Sequence, residues 1–288
     1  MNGSSYRDGT ERNAPPYWHL PAPVVPEGHM TITAALCWWN ERPEDLVRCV
    51  RGVANIADRL VALDGAYVRY PGATIRSDPR QGEAIRRAAE AAGLDCLVVV
   101  PDRLWAGQVE KRSHLLALAA VGSDWIVTVD ADHIIATERD AVRRELANST
   151  ADVVEVPFDT PLNPKRPLAE SAPGQWHIEQ AAETTYIPQV WRASLGLRVE
   201  RHHWWIGATK DGRPVWAWAG DTSRPHLPHA QFVTPYRVEH RVLFRSAEQI
   251  RASRAFCNDR EAVVANTGQE DHLPHLPAPV WDFERIPA

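Results

Sequence analysis

Two aspartates at the end of an apolar stretch are the residues of this sequence best suited to chemistry. Residues 125–129 are rich in β-branched side chains and predict a buried strand, which Asp130 and Asp132 follow directly. Because side chains alternate along an extended chain, both carboxylates can project the same way from the strand end. Converging carboxylates repel each other unless a cation lies between them, and Mg²⁺ and Mn²⁺ prefer oxygen ligands. The pair therefore predicts a metal–phosphate site, and the alternative is a polar turn after the strand.

The composition is that of a soluble globular protein, with 44% hydrophobic and 24% charged residues. A net charge of −5 argues against a nucleic-acid partner, because such proteins usually bind through a basic surface. No apolar run approaches the roughly 20 residues of a membrane span, and no signal-peptide pattern is found at the N-terminus. The four cysteines lack C-x-x-C spacing and are expected to be reduced, which favours a cytoplasmic protein.

The elements that must position the aspartates alternate regularly before them. Strands are predicted at about 31–37, 59–63, 96–100 and 125–129, with helices at about 43–57, 79–92 and 108–121 between them. This alternation predicts an α/β fold with a mostly parallel, doubly wound sheet flanked by helices. In such sheets ligands bind beyond the carboxyl ends of the strands. Polar residues fall at three of those ends: Asn40-Glu41, Asp64-Gly65 and the pair Asp130 and Asp132.

The remainder of the chain has a different pattern, with short aromatic segments that predict antiparallel strands. Lys210-Asp211-Gly212 predicts a hairpin turn, and Ser246 is expected to cap a helix running to about Glu261. We expect a flexible Pro-rich arm at 1–29, a single domain at 30–265 and an extended tail at 266–288. Within the domain, 30–135 would bind nucleotide and 136–265 would bind the acceptor.

In this order the segments resemble the family 2-like, GT-A-fold glycosyltransferases. The resemblance is most specific over 31–135 and looser afterwards. Two family motifs are incomplete in this sequence. The familiar Asp-Asp-Gly-Ser motif is reduced to Asp64-Gly65, and the second half has no clear Glu-Asp pair. The matching segments are Trp39-Asn40-Glu41, Leu63-Asp64-Gly65, Gly107 with Lys111-Arg112, the strand ending in Asp130 and Asp132, the stretch 190–204, and 240–246 with its helix.

The resemblance implies that a UDP- or GDP-sugar donates a sugar to a hydroxyl of a glycan, protein or small-molecule acceptor, as in a hexosyltransferase. Mn²⁺ or Mg²⁺ on the donor diphosphate would be held by Asp130 and Asp132, with Asp132 the direct ligand. The third ligand would be His240, with His202 and His203 as alternatives. The residues expected to contact the donor nucleotide sugar are Asn40, Glu41, Asp64, Gly65, Lys111, Arg112, Asp130 and Arg245.

The acceptor side is less well defined by sequence. An inverting enzyme needs a carboxylate beside the acceptor hydroxyl, and Glu239 and Asp221 are our candidates, although Glu155, Asp159 and Glu183 are also available. Together with Asp132 they form the predicted catalytic set. His203, Trp204 and Trp205 are expected to bind the sugar or acceptor, because aromatic rings match the apolar faces of a pyranose. Neither the base of the nucleotide nor inversion or retention follows from the sequence.

Three other functions compete with this interpretation. The fold could serve a non-catalytic nucleotide-sugar or carbohydrate-binding protein, or a nucleotidyltransferase. Nucleotidyltransferases usually carry a Gly-rich basic loop after the first strand, whereas Trp38-Trp39-Asn40-Glu41 stands there. A phosphatase of the haloacid dehalogenase type places the Asp-x-Asp motif on its first strand and a hydroxyl residue where Ile134 stands.

Overall fold

The computed structural model describes residues 30–159, 161, 185–200, 205–218, 223–241 and 245–258. The predicted arm and tail lie outside these residues, as do five candidate site residues: Glu183, His202, His203, Trp204 and Asp221. None of the helices in the described ranges has the length and apolar character needed to cross a membrane.

Strands and helices alternate through the first half of the chain, and short strands dominate the second. The helices are α1 (Pro43–Val53), α2 (Pro79–Ala91), α3 (Gln108–Ala120), α4 (Arg139–Asn148) and α5 (Ala247–Asn258). The strands are β1 (Ile32–Cys37), β2 (Arg59–Leu63), β3 (Asp95–Val99), β4 (Trp125–Asp130), β5 (His133–Thr137), β6 (Val153–Asp159), β7 (Thr185–Arg192), β8 (Arg198–Val199), β9 (Ile206–Lys210), β10 (Arg213–Trp218), β11 (His229–Gln231) and β12 (Tyr236–His240).

Nine of the described strands form one sheet in the order β3-β2-β1-β4-β7-β6-β12-β5, with β11 also paired to β6. The first four strands are mutually parallel, and β7 runs antiparallel between β4 and β6. The strands β10, β9 and β8 form a second, antiparallel sheet. The predicted mixed α/β architecture is confirmed, and it is consistent with a Rossmann-like nucleotide-sugar transferase fold.

The inner parallel strands β1, β2 and β4 are buried on both faces, which explains why their sequences are almost continuously apolar. On β1, Ala34 and Leu36 face a cluster that includes Leu46 of α1 and Ile85 of α2. The alternate side chains of β1 face a cluster formed with α3 and the small sheet: Ala35, Cys37, Leu115, Leu116 and Val199. The sheet is therefore wound on both sides, as the alternation of strands and helices predicts.

Two elements after Asp132 were not predicted from the sequence. The chain turns at Ala131 and Asp132 into β5, a strand of only 5 residues, and then enters α4. Neither has a long apolar period, and β5 pairs with β12 from the far end of the domain. Because this pairing is between segments distant in sequence, local pattern does not indicate it. The sequence pattern also predicts a last strand over 236–244, whereas β12 ends at His240.

The direction of β12 determines where His240 lies. Both β4 and β6 are antiparallel to β7, and β12 is parallel to β6. The strands β4, β6 and β12 therefore run the same way, and their carboxyl ends lie at one edge of the sheet with those of β1 and β2. This edge is where the candidate site is found.

Candidate metal and nucleotide site

Three side chains with metal-binding atoms meet at the carboxyl edge of the sheet: Asp132, His133 and His240, whose ligand atoms lie within 4.8 Å of one another. Asp132 lies in the turn between β4 and β5, His133 begins β5, and His240 ends β12. His133 and His240 are directly paired across β5 and β12, with ring centroids 5.3 Å apart. The antiparallel pairing therefore brings the histidine of the last strand to the aspartate of the predicted motif.

The carboxylate of Asp132 is buried, at 7% exposure, yet neither of its oxygens receives a hydrogen bond from a residue that the structure describes. The nearest basic side chains are Arg245, with Nη2 at 3.1 Å from Oδ2, and His240, with Nε2 at 3.6 Å from Oδ2. Burial by itself would raise the pKa of Asp132, but Arg245 and His240 outweigh burial and hold that pKa well below its usual value. An ionised, buried carboxylate without hydrogen-bond donors fits a divalent cation.

His133 lies beside this carboxylate but is oriented differently from His240. The backbone N–H of Asp130 donates to Nδ1 of His133 at 3.1 Å, so a neutral ring carries its proton on Nε2. Burial lowers the pKa of His133 to about 4, which leaves the ring neutral at pH 7. With one nitrogen accepting a hydrogen bond and the other protonated, His133 has no lone pair for a metal. The geometry therefore favours Asp132 and His240 as the ligands, with Nε2 of His133 at 3.9 Å from Oδ1 of Asp132.

Asp130 has a different partner from Asp132. Nη2 of Arg112 donates to both carboxylate oxygens of Asp130, at 2.8 and 3.0 Å. Burial alone would raise the pKa of Asp130, but Arg112 together with His133 lowers it, so this carboxylate is ionised and already paired. Asp130 does not belong to the group of converging ligand atoms among the described residues. Its predicted role as a second metal ligand therefore stays a prediction, and its neutralisation by Arg112 is what the structure shows.

The loop after β1 reaches the metal group through Glu41. Arg245 Nη2 lies 3.8 Å from Oε1 of Glu41, and Nε2 of Gln249 donates to Oε2 of Glu41 at 3.0 Å. Burial raises the pKa of Glu41, and Arg245 opposes that shift. The preceding residue, Asn40, has a left-handed backbone with φ of 50°, and its carbonyl accepts a second hydrogen bond from Gln249 at 3.3 Å. Gln249 thus joins the amino-terminal end of α5 by hydrogen bonds to the loop after β1, which the sequence predicts to bind the nucleotide.

Asp64 and Gly65, after β2, are held by partners inside the protein. The carboxylate of Asp64, which is 2% exposed, accepts hydrogen bonds from the backbone N–H of Ser77 at 2.9 Å and from its hydroxyl at 2.6 Å. Gly65 has φ of 114°, and a Cβ there would lie 2.7 Å from Nε1 of Trp105. Asp64 therefore stabilises the loop that carries Ser77. A nucleobase in the predicted contact would have to bind carboxylate oxygens that already accept hydrogen bonds from Ser77.

Lys111 also has internal partners. Its side chain is 2% exposed, and Nζ donates to the carbonyls of Trp38 at 2.7 Å and Gly65 at 2.6 Å. The ammonium group thereby ties the loop after β1 to the loop after β2 from the first turns of α3. The predicted contact between Lys111 and donor phosphate would have to compete with these two carbonyls, whereas the neighbouring Arg112 faces Asp130 at the edge of the site.

The predicted acceptor residues are placed in two regions. Glu239 precedes His240 on β12 and forms an ion pair with Arg241. Trp205 lies just before β9 and packs edge-on against Trp216, with centroids 5.5 Å apart, in the small sheet. Two of the other carboxylates considered above are paired with basic residues, Asp159 with Arg237 and Glu155 with His229. The structure thus brings Asp132, His240, Arg245 and Glu41 together. It does not select one carboxylate as the general base for the acceptor hydroxyl.

An aromatic cluster covers the loops after β1 and β2 and was not predicted. Phe256 of α5 stacks on Tyr67 and Tyr70, at 6.1 and 5.0 Å, and Tyr70 meets Trp39 at 5.1 Å. The sequence indicates that Ser246 begins a helix, but no local pattern shows where that helix docks. His133, which was also missed, had one available signal, its position immediately after Asp132.

The comparisons with known proteins place this chain in no family. No protein-family model matches the sequence, and no curated protein matches it. Among solved structures it is similar to the crystal structure of 4-diphosphocytidyl-2C-methyl-D-erythritol synthase from Anaerococcus prevotii DSM 20548. That similarity has 10% sequence identity and a TM-score of 0.32, over 57% of this chain and 71% of that chain. A likeness of this size does not indicate an activity.

Proposed function

We propose that this protein is a metal-dependent glycosyltransferase that transfers a sugar from a nucleotide-diphosphate sugar, with Asp132 and His240 holding Mn²⁺ or Mg²⁺. The observation that carries the proposal is the carboxylate of Asp132, which is buried, ionised and without a hydrogen-bond donor among the described residues. It lies at the carboxyl edge of the sheet, where doubly wound folds bind nucleotides. The ordered resemblance of the motifs over 31–135 supports the same class.

The chemistry of sugar transfer explains this arrangement of charges. Departure of the sugar leaves negative charge on the nucleoside diphosphate, and a bound divalent cation stabilises that charge. Arg245, 3.1 Å from Asp132, and Arg112, paired with Asp130, are two guanidinium groups near the place where the diphosphate would bind. The loops that carry Asn40, Glu41, Asp64 and Gly65 would hold the nucleoside. Glu239 or Asp221 would accept the proton of the acceptor hydroxyl.

The test is thermal unfolding with UDP, GDP, CDP and ADP, each with and without Mn²⁺, in the wild type and in Asp132→Asn. A ligand that binds only the folded state stabilises it, by about 2.7 kcal/mol at a concentration 100 times its Kd. We expect one nucleoside diphosphate to stabilise the wild type when Mn²⁺ is present. Asp132→Asn should lose this effect. Asp102→Asn is the control, because that exposed carboxylate pairs only with surface Arg76 among the described contacts and should leave the effect intact.

The outcomes separate the competing functions. If no nucleotide stabilises the wild type, or if Asp132→Asn keeps the full metal-dependent effect, the proposal is wrong. Metal-dependent release of sugar from the matching nucleotide sugar would distinguish an enzyme from a non-catalytic binding protein. Preference for a nucleoside triphosphate, with release of pyrophosphate, would instead indicate a nucleotidyltransferase.

A further inference from the structure

Arg245 lies between two acidic side chains at the candidate metal site. Its Nη2 is 3.1 Å from Oδ2 of Asp132 and 3.8 Å from Oε1 of Glu41, and all three side chains are mostly buried. Burying two ionised carboxylates close together is unfavourable in free energy unless a positive group pairs with them. A guanidinium keeps its positive charge in proteins, so Arg245 brings a cation to both carboxylates. Arg245 therefore supplies, within the chain, part of the charge that a divalent cation would supply.

The contact between Arg245 and Asp132 is looser than the neighbouring one between Arg112 and Asp130. Arg112 makes hydrogen bonds of 2.8 and 3.0 Å to Asp130. Arg245 approaches Asp132 to 3.1 Å, but this approach lacks hydrogen-bond geometry, since neither oxygen of Asp132 accepts a hydrogen bond from any described residue. One aspartate of the pair is thus fully engaged, whereas the other is neutralised and still open to a ligand.

The backbone of Arg245 is held in place independently of this contact. The next residue, Ser246, caps α5: its hydroxyl accepts from the N–H of Gln249 at 3.1 Å, and its own N–H donates to Oε1 of Gln249 at 2.9 Å. The same glutamine donates to Glu41 at 3.0 Å. The guanidinium can therefore leave Asp132 by side-chain rotation, while α5 stays docked on the loop after β1.

We propose that Arg245 is a tethered counter-ion, which neutralises Asp132 in the metal-free protein, is displaced by the divalent cation and then pairs with the donor diphosphate. The proposal rests on the metal site proposed above and adds a regulatory role to it. Arg245 and the metal compete for the same carboxylate, because two cations at one oxygen repel each other. Arg245 and the metal cooperate once the diphosphate is bound, because both then face phosphate oxygens. The metal ion should consequently bind before, or together with, the diphosphate.

The test measures Mn²⁺ and pyrophosphate separately in Arg245→Gln by calorimetry. Without phosphate, the variant should bind Mn²⁺ about 3- to 10-fold more tightly than the wild type, which corresponds to the loss of a competing, partly buried ion pair. In the presence of saturating Mn²⁺, it should bind pyrophosphate about 10-fold more weakly, because a charge-assisted contact is lost. A purely structural role for Arg245 would weaken both affinities, so opposite signs are diagnostic.

Two further variants keep the test decisive. Arg237→Gln makes the same change in net charge on β12, where Arg237 is exposed and paired with Asp159, and it should change both affinities by less than about 2-fold. Arg245→Lys keeps the charge and is the alternative if the glutamine variant does not fold. It should bind Mn²⁺ as the wild type does but pyrophosphate several-fold more weakly, because a lysine cannot bind phosphate bidentately.

The failure of this inference can be told from failure of the proposed function. If the wild type binds Mn²⁺ in an Asp132-dependent way and Arg245→Gln binds it equally or more weakly, the counter-ion role is wrong and the metal site stands. If neither the wild type nor Arg245→Gln binds Mn²⁺, both proposals are overturned. Tighter Mn²⁺ binding in Arg245→Gln that disappears when Asp132→Asn is added would establish the competition.

Discussion

Asp130 and Asp132 have the same side chain and are separated by a single residue, yet the groups around them give them different capacities to bind a cation. Arg112 satisfies both oxygens of Asp130, whereas the oxygens of Asp132 have no hydrogen bond from the described residues. A buried carboxylate that is charged but not hydrogen-bonded retains its ability to bind a cation. The difference between the two aspartates therefore comes from the side chains that surround them, and it is the reason why our proposal places the metal ion on Asp132 and His240.

Lys111 illustrates the same point and leads to a prediction about stability. Lys111→Met removes the donor shared by the carbonyls of Trp38 and Gly65, and leaving buried carbonyls without partners is costly. We expect the free energy of unfolding to fall by about 2 kcal/mol in urea denaturation. Affinity for the nucleotide should change less than stability does, because Lys111 would act on it only through the positions of the loops after β1 and β2.

Lys210→Met is the matched control, since Lys210 is 42% exposed and pairs with Asp152 at the surface. It should reduce the free energy of unfolding by less than about 1 kcal/mol. A Lys111→Met protein of normal stability that has lost nucleotide affinity would contradict the structural role and support a direct contact with phosphate.

At the scale of elements, the hairpin between β9 and β10 is determined by its turn residues. Asp211 and Gly212 have φ of 51° and 71°, so both adopt the left-handed conformation that a two-residue hairpin turn requires. This turn was predicted from the sequence alone, because Asp-Gly tolerates positive φ better than other pairs do. The local signal and the tertiary fold agree here.

A pair of identical substitutions tests the role of backbone conformation in two elements. Gly212→Ala should lower the free energy of unfolding by about 1 kcal/mol through φ alone, because no atom lies within 4 Å of the added Cβ. Gly82→Ala, within α2, should raise it by about 0.5 kcal/mol, because a helical alanine is favoured and the new Cβ has ordinary contacts at 3.7 Å. Chemical denaturation measures both. If Gly212→Ala does not lower the free energy of unfolding, the turn is not held in the left-handed conformation.

At the scale of the whole molecule, the site joins the two halves of the chain. Asp132 comes from the parallel half, whereas His240 and Arg245 come from the last strand and the residue before the capped helix. Antiparallel pairing of β12 with β5 brings them together, and Gln249 and Phe256 hold α5 against the loops after β1 and β2. The metal binding that we propose would therefore require both halves to fold correctly.

This dependence predicts separate effects for two histidines of the same sheet. His240→Gln should weaken Mn²⁺ binding at least about 10-fold, since replacing even a residue that only orients a ligand has effects of that size. His229→Gln should leave Mn²⁺ affinity unchanged and lower the free energy of unfolding by about 1 kcal/mol. Both ring nitrogens of His229 face acceptors, the Glu155 carboxylate at 2.7 Å and the Ala217 carbonyl at 2.8 Å. Calorimetry and urea denaturation would show whether the two effects separate; equal loss of Mn²⁺ affinity in both variants would contradict this site.

The parallel half could be predicted from sequence, because its information is local. Apolar strands alternate with amphipathic helices, and the polar residues at their ends, such as Asn40, Asp64 and Asp130, mark the edge where ligands bind. The prediction of His240 among the metal ligands came from the resemblance, and the structure places that residue beside Asp132. The short strand β5 and helix α4 were missed, because neither has a strong apolar period.

By itself the sequence determined the α/β class, the hairpin at Asp211-Gly212 and the chemical types present at the sheet edge. Only the tertiary structure decided which side chains have hydrogen-bond partners inside the protein. Arg112 donates to Asp130, Ser77 donates to Asp64, and Lys111 donates to two carbonyls. It also decided that Asp132 and Arg245 face each other across more than a hundred residues of chain. The physical reason is that residue type and local period are properties of short segments. Hydrogen-bond satisfaction and burial, in contrast, depend on segments that come together only when the chain has folded.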